Sequence, residues 1–132
     1  MYTNLSATVM IVDDLEKCIK FYQDVLGLKS LFTDDVSAAY NLEGHDFVLL
    51  KVPAAVEMMG EEALALGKGV SHRVLLCIGV ADVDAAYNEL TAKGVTFIKP
   101  PKSQHWGRRT AYFTDPEGNL WELWHSLPEA PK

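Results

Sequence analysis

The sequence has 132 residues, 48% hydrophobic and 23% charged, with a formal net charge of −6. These values are typical of one globular domain that buries a core without disulfide or metal staples. No run approaches the roughly 18 apolar residues of a membrane span. The acidic balance disfavours nucleic acid, because proteins that bind phosphate backbones usually carry a basic patch.

The N-terminal segment and the two cysteines both indicate a cytoplasmic protein. The N-terminal segment MYTNLSATVM has no basic region followed by an apolar core, so we expect no signal peptide and a cytoplasmic location. Cys18 and Cys77 lack the spacing of a CxxC motif. We therefore expect both to be buried free thiols.

The first half of the chain begins with an apolar run, an Asp and a helical pattern. The segment is TVMIVDDLEKCIKFYQDVLGLKSLF. Asp14 is placed to cap the helix, because its carboxylate can accept hydrogen bonds from the first turn. Gly27 stands where the helix would end in a left-handed conformation. The segment AAYNLEGHDFVLLKV then predicts two strands around a turn.

The second half repeats this order. In LLCIGVADVDAAYNELTAKGVTFI, Asp82 and Gly94 take the places of the first cap and stop. The segment TAYFTDPEGNLWELWH again predicts two strands, joined by a DPEGN turn in which Pro, Gly and Asn suit the backbone angles. In this comparison Tyr40 matches Tyr112, and Val48 falls opposite Glu122.

These patterns predict a βαβββ unit made twice, in an α+β domain. The predicted strands are 6–12, 28–34, 37–43, 46–51, 72–79, 95–98, 109–114 and 120–125, and the predicted helices are 14–26 and 82–93. We interpret 1–132 as a single domain, with a first module at 1–52 and a second at 71–127. A linker with about one helical turn would cover 53–70.

Three segments together resemble the vicinal oxygen chelate superfamily, which includes glyoxalase I, extradiol dioxygenases and the fosfomycin and bleomycin resistance proteins. They are VDDLEKCIKFYQDVLGL, VADVDAAYNELTAKGV and WGRRTAYFTDPEGNLWEL, and the resemblance covers nearly the whole chain. It implies two tandem βαβββ modules forming a curled mixed sheet around a cleft. It also implies a homodimer, sometimes with modules exchanged between chains.

The resemblance implies a divalent ion in metal-using members, held by four side chains from the first and last strand of each module. The corresponding positions here are Ala7, Val48, Leu75 and Glu122. Three of them offer no lone pair, whereas zinc, iron, manganese and nickel need several N, O or S donors. The four histidines match none of these positions: they are His45, His72, His105 and His125. We therefore expect no metal and no other cofactor.

Strand alternation predicts what would line the cleft if Glu122 points into it. The expected lining is Ala7, Val9, Tyr40, Val48, Leu50, Arg73, Leu75, Cys77, Arg108, Thr110, Tyr112, Leu120, Glu122 and Trp124. Trp121 and Leu123 would face the helices. Such an apolar, aromatic-rimmed pocket suits an organic ligand with a flat body. The candidate ligand-binding residues are Trp106, Arg108, Tyr112, Glu122, Trp124, Tyr40, Val48, Leu75 and Arg73.

The position of Glu122 among apolar groups requires an explanation, because burying an unpaired carboxylate costs free energy. Three interpretations are open. It could form a structural salt bridge with Arg108, recognise a cation or donor on a ligand, or act as a general base if burial raises its pKa.

Three functions follow from these alternatives. The first is metal-independent binding of a small aromatic or amphipathic, possibly cationic, molecule in a dimer cleft, as in the bleomycin resistance proteins that sequester an antibiotic. The second is a metal-independent enzyme in which Glu122 is the base and Arg108 or Arg73 stabilises an anion. The third is a metal-dependent lyase or dioxygenase with Glu122 as a ligand. We expect the first, with no nucleic acid and no membrane as partner.

Overall fold

The computed structural model describes residues 3, 5–61 and 74–128. The chain divides into two compact units, Met1–Val70 and Ser71–Lys132. In its described part, each unit repeats one order of strands and helices. No helix among these residues is both long and apolar enough to cross a bilayer.

The first unit contains one mixed sheet and two helical segments. Its elements are β1 (Ala7–Val12), α1 (Leu15–Ile19) with a π-helical continuation at Lys20–Val25, β2 (Ser30–Thr33), β3 (Ser37–Leu42), β4 (His45–Lys51) and α2 (Val52–Met59). The strands lie in the order β1-β4-β3-β2. The β1–β4 pair is parallel and the other two pairs are antiparallel.

The second unit repeats this arrangement. Its elements are β5 (Leu75–Gly79), α3 (Val83–Ala92), β6 (Phe97–Ser103), β7 (Arg108–Thr114) and β8 (Leu120–Ser126). The order is β5-β8-β7-β6, again with a parallel first pair and antiparallel pairs elsewhere. The prediction of an α+β fold built from two βαβββ units is therefore confirmed.

Local side-chain chemistry starts and stops the helices as predicted. The Asp14 carboxylate accepts from the Lys17 amide at 3.0 Å, and the Asp82 carboxylate accepts from the Ala85 amide at 3.2 Å. These bonds satisfy amides of the first turn that have no partner within the helix. Gly27 and Gly94 follow the helices at φ 74° and 91°, where a side chain would be strained.

The core of the first unit corrects one prediction. Tyr40 does not share a face with Val48, because the register pairs Tyr40 with Phe47 and Ala39 with Val48. Tyr40 is fully buried on the helix side of the sheet, 6.5 Å from the Tyr22 ring, and burial raises its pKa.

The difference arises in the turn between the strands. The β3–β4 turn has two residues, Glu43 and Gly44, whereas residues 115–119 separate the last pair of β7 and β8. The longer turn shifts the pairing, and a shift of one residue reverses the face of a side chain. Ala39, not Tyr40, therefore occupies the place that Tyr112 has in the second unit.

An aromatic cluster forms the core of the second unit beneath α3. The Phe113 and Trp121 rings are stacked with centroids 6.3 Å apart, and Phe97 lies between Phe113 and Tyr87 of the helix. Trp121 and Leu123 are 3% and 2% exposed, in agreement with their predicted orientation toward the helices.

Two elements are longer than predicted. The predicted linker begins with the two-turn helix α2, whose Pro53 lies in the first turn, where its missing N–H is no loss. The sequence predicts that strand β6 ends at 98, but it continues through Pro100 and Pro101 to Ser103. It is an edge strand, where proline is tolerated. Residues 62–70 of the predicted linker, and His72 and Arg73 of the predicted strand 72–79, lie outside the described residues.

Candidate functional site

The side chains around Glu122 form two rows across the second sheet. Each row takes one residue from each of the strands β5, β8, β7 and β6, paired directly across the sheet. The first row is Cys77, Glu122, Tyr112 and Lys99, and the second is Gly79, Trp124, Thr110 and Lys102. Residues opposite each other in neighbouring strands point to the same side. We call the surface formed by these two rows, with the flanking Leu75, Leu120 and Arg108, the Glu122 face.

Glu122 is held by a hydrogen bond from a neighbour in the first row. The residue is only 8% exposed, and the Tyr112 hydroxyl donates to its Oε1 at 2.6 Å. On the other side Cys77 is its directly paired neighbour. The bond from Tyr112 offsets part of the desolvation that makes a buried carboxylate costly. Glu122 therefore has a structural hydrogen-bond partner within its own sheet.

The salt bridge considered between Arg108 and Glu122 does not form. The Arg108 guanidinium instead lies over the Trp124 ring, with its carbon 3.9 Å from the ring centroid. This is the geometry of a cation–π contact, worth about 0.5–1 kcal/mol at an exposed site. The charge of Arg108 is thus carried on the surface of the Glu122 face.

Gln104 and Thr110 are polar side chains next to Tyr112 at the β6–β7 hairpin. The Gln104 amide donates to the Thr110 hydroxyl at 3.1 Å. Burial and the bond to Glu122 raise the pKa of Tyr112 above its ordinary value. Tyr112 therefore keeps its proton at neutral pH and acts as a donor to Glu122.

Cys77 differs from its predicted burial. Cys18 is fully buried as expected, but Cys77 is exposed on the Glu122 face. Partial burial of its thiol and the hydrogen bond to Glu122 raise its pKa to about 11. A thiol with so high a pKa is a weak nucleophile at neutral pH, since the thiolate is the reactive form.

Gly79 creates the place in which Trp124 lies. A methyl group at Gly79 would stand 3.2 Å from Cζ2 and 3.4 Å from Cε2 of the Trp124 indole. The ring therefore rests on bare backbone, with Arg108 above it. Sequence reasoning missed this residue, although a glycine inside a strand often marks the close approach of another group.

Sequence reasoning also missed two lysines of β6. In a regular strand Lys99 and Lys102, three positions apart, would point to opposite faces. The register shifts between them, so that Lys99 pairs with Tyr112 and Lys102 with Thr110, two residues apart on β7. The bulge at Pro100 and Pro101 thus brings both lysines to the Glu122 face.

These lysines border a pocket of about 520 Å³ in the second unit. Its walls combine two prolines with polar and basic groups from β6, β7 and the hairpin between them. The lining residues are Lys99, Pro100, Pro101, Lys102, Gln104, Thr110 and Tyr112. The volume is in the range of small-molecule sites.

The other predicted binding residues are more widely spread. Trp106 is at the tip of the β6–β7 hairpin, 55% exposed, with its ring edge-on to His105. Leu75 is 42% exposed and pairs with Leu120. Val48 belongs to the first unit, where it lies opposite Val9 and Ala39. Their roles in binding stay predictions, as does that of Arg73.

The basic pair Arg108-Arg109 is divided between the two sides of the sheet. Arg109 points to the helix side, where its Nε and Nη2 donate to the Asp84 carboxylate at 2.6 and 2.8 Å. This bidentate pair lowers the pKa of Asp84 and raises that of Arg109. Arg109 therefore ties α3 to the sheet, and Arg108 alone of the pair is on the Glu122 face.

The donor set does not fit the divalent ion that the resemblance implies. The nearest neighbours of Glu122 in its row are a thiol with a raised pKa and a phenol that already donates to the carboxylate. Leu75 and Leu120 in the adjacent row offer no donor atoms. Within the described ranges, no group of three or more His, Cys, Asp and Glu side chains is arranged to hold a metal ion.

Comparison with known proteins shows a match to one family and similarity to several bacterial proteins. The family model described as "Glyoxalase/Bleomycin resistance protein/Dioxygenase superfamily" matches residues 4–123. An uncharacterized Bacillus subtilis protein, YraH, is 35% identical over 89% of this chain and 94% of its own length. A Synechocystis protein named probable lactoylglutathione lyase is 28% identical over 88% of this chain and 90% of its own.

A solved structure shares the architecture. It is that of a glyoxalase/bleomycin resistance protein/dioxygenase from Nocardioides, with a TM-score of 0.84 and 26% sequence identity. The similarity covers 98% of this chain and 87% of the Nocardioides chain. The likeness therefore includes both βαβββ units.

Proposed function

Since the chain belongs to the glyoxalase/bleomycin resistance protein/dioxygenase superfamily, we propose that it binds a small aromatic or amphipathic organic molecule on the Glu122 face without a metal ion. The observation that carries this proposal is the state of Glu122. Its carboxylate is buried and accepts a hydrogen bond from Tyr112, and it has no neighbouring set of metal donors in its row. The face around it offers an indole, an arginine and a pocket instead.

The surface of Trp124 supports an aromatic ligand. The indole is fixed between the Gly79 backbone and Arg108, so little conformational entropy is lost when a flat molecule stacks nearby. Aromatic and guanidinium planes are common anchors in binding sites. A bound molecule would therefore contact a surface that is already ordered.

We further propose that the protein sequesters its ligand as a homodimer in the cytoplasm. Leu31 and Phe32 on the edge strand β2 are 59% and 51% exposed, and an exposed hydrophobic edge strand is a surface on which a second chain can pair. Cys18 and Cys77 form no disulfide with each other, as in a reducing compartment. Light scattering should give a mass twice the 14.6 kDa of the chain; a mass of one chain at micromolar concentration would contradict the dimer.

Tryptophan substitution tests the binding proposal. We expect an aromatic ligand to bind the parent protein saturably without product formation, and Trp124→Ala to weaken binding by about tenfold, equivalent to about 1.4 kcal/mol. Trp106→Ala reports whether the hairpin tip contributes. Binding by Trp124→Ala as tight as that of the parent would exclude the Glu122 face as the site.

A metal-independent enzyme is the second candidate, favoured by the similarity to the protein named probable lactoylglutathione lyase. Glu122 would be its general base, and Arg108 would stabilise a developing anion. The hydrogen bond from Tyr112 weighs against this role, because it already occupies one oxygen of the Glu122 carboxylate. Turnover that survives Glu122→Gln would exclude Glu122 as the base.

A further inference from the structure

The pocket bordered by Lys99 and Lys102 is lined by cationic groups. Lys99 and Lys102 present ammonium groups, which donate and cannot accept hydrogen bonds. The bulge between them places both on the side of Tyr112 and Thr110. Two cations three residues apart on one face repel each other, and an anion bound between them would relieve that repulsion.

The neutral polar groups of the pocket do not offset this charge. The hydroxyl proton of Tyr112 is already donated to Glu122, so it is not available to a ligand. One N–H of the Gln104 amide donates to Thr110, which leaves the second for a ligand. The pocket therefore offers a ligand mainly donors.

The Glu122 carboxylate does not provide a counter-charge for a cationic ligand. It is 8% exposed and already accepts a hydrogen bond from Tyr112. On the described part of the Glu122 face, Lys99, Lys102 and Arg108 stand against this one shielded carboxylate. The face is thus locally cationic, although the whole chain has a net charge of −6.

The pocket also has apolar walls. Pro100 and Pro101 supply rigid rings, and Tyr112 supplies an aromatic edge. At about 520 Å³ the pocket is large enough for a ring with an acidic substituent, and larger than a simple inorganic ion needs.

From this geometry we propose that the pocket bordered by Lys99 and Lys102 binds the anionic group of a small organic acid, a carboxylate or a phosphate ester, whose flat body lies on the Glu122 face. This inference rests on the proposed function for the body of the ligand and replaces the cationic ligand considered from the sequence. The acidic group itself is recognised by the lysines and by the free N–H of Gln104.

Four compounds with one phenyl body test the charge of the ligand. Benzoate and phenyl phosphate are the anions, benzamide is the neutral analogue and benzylamine is the cation. Each is titrated into ¹⁵N-labelled protein, and amide shifts and dissociation constants are recorded. We expect an anion to bind about tenfold more tightly than benzamide, equivalent to about 1.4 kcal/mol, with amide shifts at residues 99, 102–104 and 110–112. The stronger of the two anions identifies the acidic group.

Matched lysine variants locate the effect. The double variant Lys99→Met, Lys102→Met should lose the preference for the anion, whereas Lys93→Met should retain it. Lys93 is an exposed lysine of the same unit that pairs with Glu89 on α3. The ¹⁵N spectrum of each variant verifies its fold. Added salt should weaken anion binding in the parent and much less in the double variant.

The outcomes separate this inference from the proposed function. Equal binding of benzoate, phenyl phosphate and benzamide would overturn the inference, and a Trp124 indole shift with all three would still support binding on the Glu122 face. An anion preference that survives the double variant would also overturn it. Lysine-dependent anion binding without any Trp124 response would support the anion pocket and contradict the proposed position of the ligand body. Binding by none of the four compounds would overturn the inference.

Discussion

The hydrogen bond from the Tyr112 hydroxyl to Glu122 can be removed by a single substitution. Tyr112→Phe leaves one lone pair of the buried carboxylate without its 2.6 Å partner. We expect the free energy of unfolding to fall by about 1–3 kcal/mol, the cost of an unsatisfied buried group. Urea denaturation of the parent and the variant measures it.

The matched control is Tyr87→Phe, which removes a hydroxyl from a ring that packs against Phe97. Its hydroxyl has no hydrogen bond among the described residues, so we expect a change of a few tenths of a kcal/mol, within the range of ordinary surface substitutions. Equal losses in the two variants would mean that the bond to Glu122 contributes nothing to stability.

Cys77 makes the stability of the protein sensitive to alkaline pH. Its pKa is raised from the ordinary 9.0 to about 11, so between these values the folded protein holds a proton that the unfolded chain has released. Stability is therefore fully present below pH 9 and falls as pH rises toward 11. Cys77→Ser, which keeps a donor but does not titrate there, should flatten this fall.

Denaturant midpoints of the parent and Cys77→Ser, measured across that pH interval, test the linkage. Burial and the bond to Glu122 raise the Tyr112 pKa too, so some decline remains in the variant. Parallel curves for the two proteins would show that the Cys77 thiol is not coupled to Glu122.

Residue positions were predictable where the strands are regular. Alternation along β7 and β8 predicts the shared face of Tyr112, Glu122 and Trp124, and the register agrees. It fails for Tyr40, where turn length shifts the pairing, and for Lys99 and Lys102, where bulges alter the period of two. Bulges and turn lengths depend on pairing with a neighbour, which a single strand's sequence does not specify.

The contact between Gly79 of β5 and Trp124 of β8 can be tested by substitution. A methyl group in Gly79→Ala would meet the Trp124 ring at 3.2 Å, closer than ordinary packing permits. The ring must shift by a few tenths of an ångström, and with it the surface on which Arg108 lies. We expect a changed near-ultraviolet circular dichroism signal and weaker binding of an aromatic ligand.

A double-mutant cycle isolates this contact. In the background of Trp124→Phe, which has a smaller ring, Gly79→Ala should cost less binding free energy than in the parent. Identical effects in both backgrounds would mean that Gly79 acts through the β5 backbone and not through the Trp124 indole.

The elements themselves were largely predictable because their start and stop signals are local. The caps at Asp14 and Asp82 and the glycines at 27 and 94 act within one turn of chain. Helix α2 and the long strand β6 were not predicted in full. Both contain prolines. A proline is tolerated in the first turn of a helix or at the edge of a sheet, and only the fold determines whether it has such a position.

For the whole molecule, the repeated order of elements specified the fold, and the family comparison agrees with it. The function is less directly determined, because one fold supports many chemistries. The proposal of metal independence rests on three apolar side chains, at Ala7, Val48 and Leu75, and on the Glu122 carboxylate, to which Tyr112 already donates.

Isothermal titration of one aromatic acid, such as benzoate, into metal-stripped protein tests this proposal most directly. The titration is carried out first with a chelator present. It is then repeated without the chelator, with Mn²⁺, Fe²⁺, Ni²⁺ or Zn²⁺ added at a concentration equal to that of the protein. We predict saturable binding with the chelator present and a dissociation constant that the metals leave unchanged. Binding or turnover that appears only with a metal, and that Glu122→Gln abolishes, would contradict the account and make Glu122 a metal ligand.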